Sequence, residues 1–139
     1  MRKNRLPALV RWPLKALAII WASPYTLFGS LVGVVGMCSG GKVRFRDGAL
    51  EFHGGGVEWL LAKVTGFASA MTWGHVILGR TDTALDLCAE HERVHVRQYE
   101  RWGLLFGPAY LLASAWMWAR GKRPYRDNPF EREAYEKAP

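Results

Sequence analysis

The sequence is short of the residues that staple or acidify a small protein. Its two cysteines, Cys38 and Cys88, lie far apart, and a disulfide framework needs more of them at closer spacing. Neither belongs to a Cys-x-x-Cys pair, which excludes thiolate zinc fingers and leaves two free thiols suited to a reducing compartment. Acidic residues are outnumbered, 12 Asp and Glu against 19 Lys and Arg, for a formal charge of +7 and a pI near 9.8. The basic residues form no dense tract and no nucleic-acid motif accompanies them, so nucleic acid is not the expected partner. No internal repeat or low-complexity tract is present, and 139 residues leave room for one domain.

The longest absence is of charge. From Ala16 to Gly41 no residue is charged, and about 20 apolar residues suffice to cross a bilayer. Ser23-Pro24 interrupts the run, and Gly29, Gly33, Gly36 and Gly40 weaken its helical preference. A signal peptide would be shorter and would show a cleavage site. A single span would use the Gly-xxx-Gly spacing to pack against another helix. Two short helices broken at Pro24 would dip into the membrane and return, and a buried core helix is the soluble alternative. Basic residues flank both ends: Arg2, Lys3, Arg5, Arg11 and Lys15 before the run, Lys42, Arg44 and Arg46 after it. That symmetry gives the positive-inside rule no direction and favours the re-entrant hairpin. Arg120, Lys122 and Arg123 close a second uncharged run, Leu104 to Ala119. Charges so placed suit a membrane lipid surface, and seven tryptophans suit an apolar boundary with a wet edge. Residues 1–41 are therefore read as a basic N-terminus with a membrane-associated segment, and 42–139 as the folded domain.

Within 42–139 the pattern alternates strand and helix signals. Val43–Arg46 and Ala49–His53 flank Asp47-Gly48, a hairpin signature. A short helix is expected from Val57 to Phe67 and a strand from Ser69 to Leu78. A helix is expected next over Thr83–Arg101, capped by Thr81, Asp82 or Thr83. Leu104–Ala119 is too short to span and reads as a backing or interfacial helix. Phe130–Lys137 forms a last helix, with Pro129 near its first position.

The charged helix carries His91-Glu92-Arg93-Val94-His95, an HExxH pattern. Histidines at i and i+4 share one helical face, so both imidazoles can converge on one Zn²⁺. Glu92 is then placed to act as general base on a water at the metal. The bland alternative is a solvated face, in which Glu90, His91, Glu92, Arg93, Arg97, Glu100 and Arg101 only pair with one another. A third protein ligand is needed. No histidine lies downstream, and His53 and His75 lie on expected strands upstream, His75 more as a structural histidine than a cleft residue.

The last expected helix opens with Phe130-Glu131-Arg132-Glu133-Ala134-Tyr135. HExxH with a downstream Glu-x-x-Ala resembles the gluzincin metallopeptidases, especially minimal-scaffold and membrane-embedded members, and the wider pattern resembles bacterial membrane-associated proteins. The resemblance implies Glu131 as third zinc ligand with Ala134 at the small position, and Glu133 as the alternative ligand. Tyr135 stands where the family has an aspartate that supports a ligand histidine. It also implies an α+β fold: a small antiparallel sheet, an HExxH active-site helix, a backing helix and a C-terminal ligand helix, after the apolar membrane-associated segment. The implied activity is zinc-dependent hydrolysis of a peptide or protein substrate, on the cytoplasmic side of a bacterial inner membrane. The rivals are a catalytically inactive zinc-stabilised scaffold and a metal-free membrane adaptor. Tyr110, Tyr125 and Tyr135 are candidate donors to a developing oxyanion, whereas Gln98 and Asn128 are expected to make local hydrogen bonds.

Overall fold

The computed structural model describes residues 7–138; the basic start at Arg2, Lys3 and Arg5 lies outside them. A four-stranded sheet in the order β1-β2-β4-β3 forms the centre. Strands β1 (Lys42–Arg46) and β2 (Ala49–His53) make the expected hairpin. Asp47 and Gly48 turn it with φ of 51° and 83°, the left-handed pair that a two-residue turn demands. The single strand expected from Ser69 to Leu78 is instead a second hairpin, β3 (Ala70–Trp73) and β4 (Val76–Gly79). Gly74 permits the reversal: its φ is 62°, and a Cβ there would sit 2.6 Å from the Thr26 backbone nitrogen.

Strand β4 runs parallel to β2, so the sheet is mixed and the expectation of an antiparallel sheet is corrected. The reason lies in the connection. The chain leaves β2, crosses through helix α2 (Gly55–Val64) and β3, and re-enters between its neighbours. A parallel neighbour requires such a crossover, and a central strand covered on both faces reads as a continuous apolar run. Val76-Ile77-Leu78 is that run, and every residue of β4 is buried. Val76 and Leu78 pack with Phe52, Val57 and Leu61 on one face, while Ile77 packs with Ala49, Leu85 and Val96 on the other. Each fully buried side chain of this size contributes about 1.5–3 kcal/mol of transfer free energy.

Helix α1 (Ala8–Met37) is continuous for 30 residues, through Pro13 and Pro24. The break expected at Pro24 does not occur. Proline leaves the carbonyl four residues back without its donor, and here Ser23 Oγ donates to that Ile20 oxygen at 2.7 Å. By length and composition α1 is apolar enough to cross a membrane. One stripe of it is packed: Gly29 lies under Trp73 and Val76, Gly33 under the Phe52 ring and Gly36 under Val57. The small residues thus admit the sheet and α2 rather than another helix.

On the opposite side of the sheet lies α3 (Asp82–Trp102), capped by the Thr81 hydroxyl, which accepts from Ala84 N at 3.0 Å. A short 3₁₀ turn at Gly103–Leu105 leads into α4 (Phe106–Ala119), and α5 (Pro129–Lys137) packs back onto α3. Cys38 and Cys88 are free thiols.

Candidate metal centre

Helix α3 has two tasks. Leu85, Ala89 and Val96 face the sheet or its neighbours in the core, while His91 and His95 lie one turn apart, edge to face, toward α5. Asn128 fixes where α5 begins. It is fully buried, and its Oδ1 accepts from Phe130 N at 3.0 Å as an N-cap. Its Nδ2 donates to Tyr110 O at 3.1 Å and Ser114 Oγ at 2.8 Å, tying α5 to α4. Glu131, three residues into the segment so anchored, then meets the two histidines.

His91 Nε2 lies 3.2 Å from Glu131 Oε2, and His95 Nε2 lies 3.4 Å from Glu131 Oε1. The two Nε2 atoms are 3.1 Å apart. This His91, His95 and Glu131 group, with its ligand atoms within 4.8 Å of one another, lies close enough to bind a metal ion. The tautomer of His95 follows from its neighbours. Gln98 Nε2 donates to Phe130 O at 2.9 Å and to Glu133 Oε2 at 2.8 Å, and both are acceptors only. The other end of that amide is therefore oxygen, and His95 Nδ1 donates its hydrogen to Gln98 Oε1 at 2.8 Å. In the neutral ring this leaves Nε2 a bare lone pair facing Glu131 and His91, which is how a ligating imidazole is oriented. Such a group needs a cation among its lone pairs, either a proton or a metal ion.

In the metal-free protein a proton fills that role, and a metal ion would have to displace it. Burial opposes a charge on His95, but hydrogen bonding to Glu131 and the charges of Glu92 and Glu131 outweigh it and raise its pKa to about 9. Burial likewise opposes ionisation of Glu131, yet contacts to His91 and His95 hold its carboxyl down at about 2. Tyr110 adds a hydrogen bond, donating to Glu131 Oε1 at 2.7 Å. Glu92 stands next to this group, buried, with Oε2 accepting from Thr72 Oγ1 at 2.6 Å, and burial pushes its pKa up.

A cavity of about 960 Å³ reaches Glu92, His95 and Glu131. Its remaining wall is largely apolar, built from Met71, Phe106, Leu111 and neighbours. All four residues of β3, an outer strand of the sheet, line it.

The other candidates sort by contact. Glu133 pairs with Arg101 at 2.7 Å and with Gln98 and Lys137, outside the group of three. Tyr135 packs its ring on His91, centroids 4.7 Å apart. Tyr110 is committed to Glu131, while Tyr125 lines the cavity; burial raises the pKa of both phenols. His75 lies in the β3–β4 turn rather than on a strand, its Nε2 2.8 Å from Glu100, and His53 is 3.7 Å from Asp82. Two contributors were not anticipated: Thr72, for which the sequence holds no signal, and Gln98 as the partner of His95. The second had one, since i+3 from a histidine lies on the same helical face. No family model, curated protein or solved structure matches the chain.

Proposed function

We propose that the chain is a zinc-dependent peptidase of gluzincin type, with His91, His95 and Glu131 as metal ligands and Glu92 as general base. The observation that carries this reading is the convergence of three ligand atoms, with His95 Nε2 aimed at Glu131 and His91 by the hydrogen bond from Nδ1 to Gln98. Tetrahedral zinc with bonds of about 2.0–2.1 Å separates neighbouring ligand atoms by roughly 3.3 Å. The three contacts here are 3.1, 3.2 and 3.4 Å. Two imidazoles and one carboxylate also make a donor set that leaves a fourth position open.

Bound there, zinc would supply Lewis acidity and a water acidic enough to react near neutral pH. The protein does the rest. Glu92 takes the proton from the attacking water and delivers it to the leaving amine nitrogen as the C–N bond breaks. Thr72 holds the Glu92 carboxylate in place through Oε2. Gln98 and Tyr110 orient His95 and Glu131. An extended peptide can pair along the outer edge of β3, its apolar side chains entering the cavity. Tyr125, on the cavity wall beside Tyr135, is the phenol not bonded to Glu131 and the candidate donor to a developing oxyanion.

Elemental analysis of purified wild type beside His95→Ala and Glu131→Ala tests the site: about one zinc per wild-type chain, lost in both variants. A fluorogenic peptide library then tests the chemistry. Glu92→Gln should keep the zinc and lower turnover by roughly 10²–10⁴-fold. Zinc bound with no turnover of any library member by wild type would leave the group as a clamp between α3 and α5.

A further inference from the structure

Helix α1 is long enough to cross a bilayer, but its contacts are those of a helix lying along the domain. Lys15 pairs with Glu100 of α3. About two turns further on, Trp21 covers Gly103 and Ala22 is fully buried. Tyr25 donates to Leu104 O at 3.0 Å, and Thr26 Oγ1 accepts from His75 N at 3.0 Å. Gly29, Gly33 and Gly36 then take Trp73, Phe52 and Val57. Lys15, Ala22, Gly29 and Gly36 recur every seven residues, with Thr26 and Gly33 between them. This is one stripe, docked over a rise of roughly 30 Å.

If that helix stood across a membrane, the domain beside it would stand in hydrocarbon. Helix α3, which packs against α1, carries Glu90, Arg93, Arg97, Glu100 and Arg101. The sheet beside it ends at β3 with an unpaired backbone edge. Neither ionised side chains nor an open sheet edge is tolerated there. The outward side of α1 is nevertheless apolar: Leu17, Ile20, Leu27, Leu31, Val34 and Val35 are all exposed. Helix α4 has the same character. It holds no charge, buries only Phe106, and exposes Leu111, Leu112, Trp116 and Trp118. A helix apolar all round and left uncovered by the described residues needs an apolar medium.

The charges say which medium. Helices α1 and α4 contain no acidic residue, and Arg11 and Lys15 lie near the start of the first. Arg120, Lys122 and Arg123 follow the second, with Arg120 over the Trp116 ring at 5.8 Å. Lys63 and Trp59 of α2 are exposed beside Val64 and Phe67. Exposed tryptophans among basic residues match the headgroup region of an anionic leaflet. We propose that α1 and α4 seat the domain in one leaflet of an anionic bilayer, with α1 parallel to the membrane plane rather than across it. Leu111 and Leu112 also line the cavity, so its mouth then opens at the leaflet.

The test is a depth measurement on the full chain in vesicles of phosphatidylcholine with phosphatidylglycerol. Cys38 and Cys88 are replaced by serine, and single cysteines at Leu17, Leu27 and Val34 carry an environment-sensitive fluorophore. Lipids brominated at different acyl positions should quench all three labels with the same shallow depth optimum. Binding should weaken several-fold when phosphatidylglycerol is omitted or salt is raised. A profile deepest at Leu27 and shallow at Leu17 and Val34 would mean a span and overturn the proposal. Absence of quenching, with a dimer by sedimentation in lipid-free buffer, would assign the face to a second copy and overturn it equally. Metal content and peptidase activity do not enter these readouts, so the seating and the proposed chemistry fail separately.

Discussion

Two buried carboxylates bear on the same helix, and their surroundings differ in kind. Glu51 of β2, fully buried, is met by Arg44 at 2.5 Å and Arg46 at 3.2 Å. Those guanidiniums continue to Asp86 at 2.7 and 2.9 Å, and Arg44 also pairs with Asp82. Arginine is always charged and carries only donors, so this cluster is complete with its own cations. Glu131, almost as buried, is met by two imidazole nitrogens and a phenol. None of those partners is a permanent cation, and two of them are metal-ligating groups. The contrast separates a carboxylate that is neutralised by the fold from one that is set up to receive a cation.

Stability should divide the same way. Glu51→Ala removes the buried counter-charge of Arg44 and Arg46, but both are partly exposed and keep Asp86. The loss should therefore lie near the lower end of the range of about 3–5 kcal/mol for breaking a buried pair. That loss should be the same in chelator and in zinc. Glu131→Ala should behave oppositely. With zinc at 1,000 times its dissociation constant, the wild type gains about 4 kcal/mol by mass action, and the variant gains none. Denaturant melts of the three proteins, each with and without zinc, read both effects. Zinc raising Glu131→Ala as much as the wild type would sink the distinction between the two sites.

How much of this could be read from the chain itself differs by element. The β1–β2 hairpin was legible because Asp47-Gly48 encodes its own turn, and α3 and α5 because their caps and periodicities are local. So was the pair of histidines, since i, i+4 geometry needs nothing beyond the helix. The parallel placement of β4 was not, because it depends on a crossover through α2 and β3 that no local pattern reports. The Gly74 reversal was hidden inside an apolar run that fits one strand as well as two short ones. Pro24 misled for a related reason: the rescue of the Ile20 carbonyl by Ser23 and the docking of the glycine stripe both oppose its local preference. Glu131 was legible only through its motif resemblance. The placement of α5 depends on Asn128, which caps it locally and ties it to α4 by two tertiary hydrogen bonds.

The orientation of His95 sharpens the comparison further, because it isolates direction from charge. Gln98→Ala removes the acceptor at His95 Nδ1 while keeping both histidines and Glu131. Loss of such an orienting partner typically weakens metal affinity by about 10–100-fold. Competition against a chromophoric chelator should show that weakening, with stoichiometry still near one zinc per chain. Unchanged affinity in Gln98→Ala would mean that the Glu131 and His91 contacts alone aim the ring.

A third carboxylate, Glu100, lies between the two types and gives the smallest expected effect. It accepts from His75, 2.8 Å away, and pairs with Lys15 across the α1–α3 junction. The His75 contact and then Lys15 outweigh its partial burial and hold its pKa at about 2. A carboxyl depressed in the folded state stabilises fully above its unfolded value of about 4.3 and loses that contribution as pH falls toward the folded value. Because Lys15 is half exposed, solvent screening limits the gain to about 1 kcal/mol. Glu100→Gln should therefore lower stability by that amount at pH 7 and by progressively less from pH 4 down to pH 2. Acid-unfolding curves of the two proteins, recorded in chelator, should converge over that interval. A constant gap would mean that Glu100 contributes packing rather than charge, and that α1 is held to α3 by apolar contacts such as Tyr25 on Tyr99.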